Sequence, residues 1–146
     1  GVEIASCCDI RVATRQSRYG APIAKLGFPM APREAALVAG VLGPTLARSM
    51  LLEAAVYQAP DMVTHGYLTR VVEGNAELRQ DIQQSVARIL QLSPSAARLH
   101  KQMMREWLQA QEDMLLRQCS TAYDYADSEE HREGIGAFLE KRPARF

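Results

Sequence analysis

Residues 1–43, GVEIASCCDIRVATRQSRYGAPIAKLGFPMAPREAALVAGVLG, are the stretch that decides the fold. Their order predicts a helix, a strand, a turn, a glycine-proline loop and a second helix. The strand covers residues 9–13, where apolar positions alternate with polar or small ones. Glycine and proline occur together at residues 19–22 and 26–29, which forces the backbone into tight, irregular geometry. This alternation of elements indicates an α/β fold.

Glu3 is the residue of this stretch that points to chemistry. It lies between Val2 and Ile4. Burying an unpaired carboxylate is expensive, so Glu3 must find a partner, face a cavity or leave the core. The residues alone leave two interpretations open. Glu3 is either a chemical group beside a cavity or one half of a structural ion pair with an arginine such as Arg11 or Arg33.

The next segment continues the mixed pattern. Apolar spacing predicts a helix over residues 33–42, ended by glycine and proline, and a second helix over residues 45–55. Pro60 and Gly66 bracket a third, short helix. Residues 67–72 then predict a strand.

The pattern changes to helix alone from Asn75 onward. Asn75 is expected to cap one amphipathic helix, Ser93 the next, and Ser128 the last, with a further helix over residues 111–127. This change predicts two parts, residues 1–73 and 74–146. Amphipathicity alone favours a helical tail that covers a core.

The composition excludes some classes of function. Lys and Arg number 17, as do Asp and Glu, so no overall field attracts nucleic acid or an anionic membrane. We therefore expect no nucleic-acid or membrane partner. The sequence shows no signal peptide and no apolar run long enough to cross a membrane, which favours a soluble, cytoplasmic protein.

The cysteines and histidines are expected to be structural. Cys7, Cys8 and Cys119 form neither an even disulfide framework nor a CxxC pair, which predicts reduced thiols that pack as small apolar core residues. The three histidines lack metal-ligand spacing and predict surface or capping positions, so no metal site is expected. They are His65, His100 and His131.

Separated motifs in this order resemble the enoyl-CoA hydratase/isomerase (crotonase) superfamily. Residues 1–13 match G-x-E-[apolar]-A-x-x-C-D-I-R-[apolar]-A, and residues 19–27 match [aromatic]-G-x-P-x-x-x-L-G. Residues 59–72 look like the family's short helix, glycine stop and strand, and residues 128–142 look like its C-terminal signature. Together they make a specific signal.

The resemblance implies a fold and an assembly. The fold is α/β, a crotonase-like (ClpP/crotonase) spiral ββα core of which this chain is the C-terminal part. Residues 1–73 would complete that core, and residues 74–146 would form an α-helical oligomerisation region. In the family this region packs around a trimer axis, often with two trimers forming a hexamer.

The resemblance also implies acyl-CoA thioester chemistry. The thioester oxygen would lie between two backbone N–H donors that stabilise an enolate. One donor would come from the glycine run just before Gly1 and the other from the upstream half. The chain alone is therefore expected to be an incomplete enzyme. Coenzyme A would enter as part of the substrate, with no separate cofactor.

Hydration in the family uses two glutamates. Glu3 matches the first, but Ile23 occupies the position of the second, in the same substrate loop as Gly27. The leading hypothesis is hydration of a 2-enoyl-CoA to a 3-hydroxyacyl-CoA. Three alternatives stay open: double-bond isomerisation with one carboxylate, a non-catalytic acyl-CoA-binding relative, and a helical interaction module.

Other side chains near the loop are further candidates. Glu34 could enter the site in place of the missing glutamate, although a place in the first helical turn, favoured by the helix dipole, is the preferred alternative. Lys25 could contact an anionic substrate group or be solvated. By motif, Phe138 and Lys141 would bind the adenine and phosphates of CoA. Outside that context, Phe138 would be a core residue and Lys141 a solvated charge.

Overall fold

The computed structural model describes the backbone of residues 1–116 and 128–145, and the side chains of residues 1–106 and 128–145. Residues 1–73, here called the mixed section, contain four strands. They are β1 (Val12–Thr14), β2 (Arg18–Tyr19), β3 (Tyr57–Gln58) and β4 (Arg70–Val72). Its helices are α1 (Val2–Ser6), α2 (Pro32–Leu42), α3 (Pro44–Leu52) and α4 (Ala59–Thr64). A 3₁₀ helix, Ile23–Leu26, here called the loop helix, lies between β2 and α2.

The strands form two separate pairs. β1 and β4 are parallel, with Ala13 opposite Val71. β2 and β3 are antiparallel, with Tyr19 opposite Tyr57. Parallel neighbours need a long crossover connection, and here the chain between β1 and β4 includes α2, α3 and α4. The predicted α/β character is therefore confirmed.

The hydrophobic core lies among these helices and strands. α2 and α3 are adjacent and bury their apolar faces, with Val38 and Met50 fully buried. Pro44 begins α3 at a helical position that needs no N–H donor, directly after Gly43 ends α2. Met62 of α4 and Tyr67 just beyond it are also fully buried. α1 contacts α2 and so lies against this core.

The predicted strands are shorter than expected. Residues 9–11 lie outside β1, and residues 67–69 lie outside β4. For β4 the reason is the turn at Gly66, whose φ is +75°. It directs the amides of Tyr67 and Leu68 back to the carbonyl oxygen of Met62, at 2.9 and 3.0 Å, rather than to a neighbouring strand.

The tail contains α5 (Asn75–Leu90), α6 (Pro94–Leu116) and α7 (Glu129–Glu140). Each contacts the mixed section: α5 lies on β1, α6 on α2, and α7 on the loop helix. Ser93 and Ser128 cap as predicted, since their hydroxyls accept from the backbone N–H of Ala96 and His131. Asn75 does not cap α5. It is the first helical residue, and Gly74 occupies the capping position.

The structure shows two further features of the tail. α5 lies on β1 but has no buried residue, and Ile82, Val86 and Ile89 of its apolar stripe are each 48% exposed. The expected break before a helix at 111–127 is absent, because α6 continues to Leu116. The remainder of that predicted helix lies outside the described residues.

The prediction of core cysteines is wrong for Cys7 and Cys8, which are both exposed. They follow α1 at a bend, where the chain leaves the core toward β1. Cys119 lies outside the described residues. No helix within the described ranges is long and apolar enough to cross a membrane.

Candidate active site

Glu3 lies in the first turn of α1 and is half-buried. Within the described part of the chain its carboxylate makes no hydrogen bond or ion pair. Arg11, one suggested partner, instead donates from Nε to the carbonyl oxygen of Tyr67 at 2.6 Å and from Nη1 to the carbonyl oxygen of Cys8. An ion pair between Glu3 and Arg11 is therefore not supported. Gly1 is exposed and forms the N-cap of α1, with its carbonyl oxygen accepting from Ala5 N at 3.0 Å.

The loop helix places Ile23 and Gly27 at opposite ends of one turn. Pro22 precedes it, and Gly27 ends it in the left-handed conformation with φ of +73°. The amide of Gly27 donates to the carbonyl oxygen of Ala24 at 3.1 Å. A residue with a Cβ would be strained at this φ, so glycine suits the end of the loop.

Helix α7 packs directly on this loop through two glycines. A Cβ on Gly27 would lie 1.9 Å from the carbonyl oxygen of Glu130, and one on Gly134 would lie 2.1 Å from the carbonyl carbon of Leu26. The ring of His131 meets the ring of Phe28 edge to face, with centroids 5.0 Å apart. His131 is therefore half-buried against the loop rather than fully exposed, and of its two predicted positions, surface or cap, it takes part in the cap, since its backbone N–H donates to Ser128 Oγ.

An apolar cavity of about 450 Å³ opens beside the loop helix. Its lining includes Ile23, Phe28, Met30 and Leu52, together with Glu130 of α7. Ile23 thus presents an apolar group where the resemblance expects an acid. The sequence prediction that Ile23 belongs to a substrate loop stays a prediction, and this cavity is consistent with it.

A second cavity, of about 350 Å³, lies on another side of the loop helix; its lining is mostly apolar but includes the cations of Lys25 and Arg142, and it is here called the cationic cavity. Lys25 comes from the loop helix, and Phe138 and Arg142 come from α7 and the residues after it. Phe138 is 66% exposed, so its ring face is available rather than buried in the core. Lys141 is exposed and does not line this cavity among the described residues; it ends α7 with φ of +55°.

Glu34 lies in the first turn of α2 and is exposed. Its Oε2 accepts a hydrogen bond from the backbone N–H of Ala31 at 3.2 Å. This contact satisfies a donor at the start of the helix, where a carboxylate is also favoured by the helix dipole. The structure therefore gives Glu34 a capping contact, and its participation in the site stays a prediction.

The charges around the cationic cavity form an ordered cluster. Arg142 makes a bidentate contact with Glu133, with N–O distances of 2.6 and 2.9 Å, and also donates to Glu140 at 2.6 Å. Glu133 further accepts from the backbone N–H of Arg145 at 2.8 Å. The Arg142 hydrogen bond, then that of Arg145, lowers the pKa of Glu133 to about 2. The same carboxylates raise the pKa of Arg142.

The sequence did not predict that Arg142 lines the second cavity or that the hydroxyl of Tyr67 is buried against Val2 and Ser6. Arg142 directly follows Lys141 in the C-terminal signature, and this adjacency is the sequence signal that could have identified it. Tyr67 lies in an apolar run that predicted a strand, and no sequence pattern revealed its buried hydroxyl. No group of three metal-ligating side chains is arranged to hold a metal ion in the described ranges.

Known proteins resemble this chain along its whole length. The family model described as enoyl-CoA hydratase/isomerase matches residues 1–146. The chain is 31% identical over 147 residues to crotonyl-CoA hydratase of Syntrophomonas wolfei, covering all of this chain and 56% of that protein. It is 29% identical over 143 residues to short-chain-enoyl-CoA hydratase of Clostridium acetobutylicum, covering 97% of this chain and 54% of that protein.

Solved structures show the same fold. Methylmalonyl-CoA decarboxylase in complex with 2-nitronate-propionyl-CoA superposes with a TM-score of 0.90 at 26% identity, over 99% of this chain and 56% of that one. The chain therefore spans just over half the length of the relatives and structures that it matches.

Proposed function

Because the chain belongs to the enoyl-CoA hydratase/isomerase family, we propose that it carries the acid/base and CoA-binding half of an acyl-CoA hydratase. The observation that supports this most is Glu3, a half-buried carboxylate without a hydrogen-bond partner in the described part of the chain, at the position of the family's first glutamate. The proposed reaction is hydration of a 2-enoyl-CoA to a 3-hydroxyacyl-CoA.

A single carboxylate can carry out both proton transfers of this reaction. Glu3 takes a proton from water as the water oxygen forms a bond to C3 of the enoyl group. The π electrons of the C2–C3 double bond move to the thioester, giving an enolate that backbone donors stabilise. Glu3 then returns the proton to C2. Ile23 takes no part in the proton transfer and would contact the acyl group instead.

The cationic cavity is the proposed site for the nucleotide end of CoA. The exposed ring of Phe138 offers a face on which adenine could stack, and Lys25 offers a cation for phosphate. Lys141 extends the same charge from the end of α7. Arg142 is already held by two carboxylates, so its contribution would be to shape the cavity wall.

The remaining proposals concern the whole protein. We propose that the family's trimer or hexamer forms through the tail helices, whose apolar side chains on α5 are exposed. The proposed localisation is cytoplasmic. The chain spans 56% of the crotonyl-CoA hydratase that it matches, and we propose that hydration needs the rest of such a protein as well, so that the 146-residue chain alone is inactive.

A second candidate function is decarboxylation of a malonyl-type CoA thioester. It is favoured by Ile23 together with the close superposition on methylmalonyl-CoA decarboxylase. Loss of CO₂ breaks the bond between the carboxylate and C2 and leaves its electron pair in the same enolate. This step needs no second acid. C2 then takes a proton from a water molecule that Glu3 could hold in place, and the hydroxide left behind combines with the released CO₂ as bicarbonate.

The test measures turnover of several acyl-CoA substrates by the chain joined to the upstream half that the resemblance predicts. We expect hydration of crotonyl-CoA. Conversion only of a 3-enoyl-CoA would identify an isomerase, and loss of CO₂ only from methylmalonyl-CoA would identify a decarboxylase. CoA binding without any turnover would identify a non-catalytic relative, and assembly without CoA binding would identify an interaction module. Each of these four results would overturn the hydratase proposal.

A further inference from the structure

We propose that Tyr67 is a positioning residue for Glu3, an inference that rests on the proposed function. Tyr67 is fully buried, and its hydroxyl donates a hydrogen bond to the carbonyl oxygen of Val2 at 3.1 Å. The same hydroxyl lies 3.3 Å from Oγ of Ser6. These two contacts reach the first and last residues of α1, so one phenol spans the helix that carries Glu3.

Helix α1 needs such an external support. It has only five residues and no side-chain cap. Helices of this length are not stable by themselves, so tertiary contacts must hold α1 in place. The carboxylate of Glu3 has no hydrogen-bond partner of its own in the described residues. Its position is therefore set by the backbone of α1.

Tyr67 is itself held from several sides. The guanidinium of Arg11 lies 4.8 Å from the centre of its ring, and Arg11 Nε donates to its carbonyl oxygen at 2.6 Å. The ring of Tyr19 packs against it edge to face, with centroids 5.7 Å apart. Its backbone N–H donates to Met62 at 2.9 Å. Tyr67 is thus a rigid support anchored in the core.

The hydroxyl also keeps its proton under ordinary conditions. The pKa of Tyr67 is raised, chiefly by burial, although the Ser6 hydrogen bond and the charge of Arg11 act in the opposite direction. A protonated phenol remains a donor to the Val2 carbonyl at neutral pH. An ionised phenol would instead repel that oxygen.

The test compares Tyr67→Phe with Tyr57→Phe. Both changes remove one hydroxyl and keep the ring, and Tyr57 donates its hydrogen bond to Ser49 at 2.8 Å, away from α1. The first measurement is hydrogen exchange of the α1 amides in the 146-residue chain. We expect Tyr67→Phe to increase exchange at Cys7 and Cys8, whose amides bond back into α1, and Tyr57→Phe to leave it unchanged.

The second measurement is steady-state kinetics of the chain joined to its upstream half. We expect Tyr67→Phe to lower kcat by about 10- to 100-fold with KM unchanged, because small displacements of an acid/base group have effects of this size. Equal kcat values for the two variants, or a change in KM alone, would show that Tyr67 only packs in the core.

The two measurements also separate this inference from the proposed function. If the parent protein turns over no acyl-CoA, the proposed function fails, and with it any catalytic part for Tyr67. Exchange in α1 would then still report whether the hydroxyl holds the helix. If the parent is active but exchange in α1 is the same in both variants, the inference about Tyr67 is wrong while the proposed function stands.

Discussion

The backbone of α7 touches the loop helix so closely at Gly27 that a Cβ there would lie 1.9 Å from the carbonyl oxygen of Glu130. The same holds from the other side, because a Cβ on Gly134 of α7 would lie against the carbonyl carbon of Leu26. Two glycines therefore allow the two segments to meet backbone to backbone. This contact joins the loop that contains Ile23 to the helix that contains Phe138, and so joins the two cavities of the candidate site.

The first prediction concerns Gly134. Replacing it by Ala would place a methyl group 2.1 Å from Leu26, so α7 must move away from the loop. We expect a loss of about 1–3 kcal/mol in the free energy of unfolding, as for other overpacked sites. Urea denaturation measures it. Gly136→Ala in the same helix is the control, since a Cβ there meets nothing within 4 Å. Equal stability of the two variants would contradict the close contact.

The second prediction concerns Ala54, which follows α3 with φ of +53°. A left-handed residue with a Cβ is strained by about 1–2 kcal/mol, and glycine removes that strain at a smaller cost in unfolded-state entropy. We expect Ala54→Gly to raise the free energy of unfolding by about 1 kcal/mol. Ala55→Gly, at a residue without positive φ, should lower it. A lower melting temperature for Ala54→Gly would refute this account of the turn.

The third prediction is a pH dependence from Glu133. Its pKa is lowered from 4.5 to about 2 in the folded chain, chiefly by Arg142. A lowered pKa stabilises the folded state above the ordinary value, and that stabilisation is lost as the pH falls from about 4.5 toward 2. We expect the last residues to separate from α7 in this range. NMR titration of the Glu133 carboxyl measures it, and a midpoint near 4.5 would contradict the ordered cluster.

Glu133→Gln provides the matched variant for that titration. It keeps the size of the side chain and removes the charge that Arg142 binds. The melting temperature of this variant should depend less on pH over the same range than that of the parent chain. An unchanged dependence would assign the effect to other carboxylates.

Local signals made much of the fold predictable. Pro44 and Gly43 fixed the boundary between α2 and α3, and Ser128 fixed the start of α7. The strands were less predictable, because the turn at Gly66 and the amide contacts to Met62 depend on tertiary packing. The exposure of Cys7 has the same origin, since it follows from where α1 ends relative to the core.

The candidate site likewise has residues that local motifs could predict and contacts that they could not. Glu3, Ile23 and Phe138 were identified by their places in motifs, which are local in the sequence. The packing of Gly27 on α7 joins residues about a hundred positions apart, so periodicity could not reveal it. The support that Tyr67 gives to Val2 is also a long-range contact, made by a hydroxyl in an otherwise apolar run.

We propose that Glu3 is the acid/base group of this chain, whereas the contact observed for Glu34 is the cap on α2. The decisive measurement is the kcat for crotonyl-CoA hydration of the chain joined to its upstream half, comparing Glu3→Gln with Glu34→Gln. We expect Glu3→Gln to lower kcat by about 10²- to 10⁴-fold, the usual contribution of a general acid/base. Glu34→Gln should keep kcat near the parent value and lose at most about 1 kcal/mol of stability from the weaker cap. A loss of kcat in Glu34→Gln with full activity in Glu3→Gln would contradict the claim.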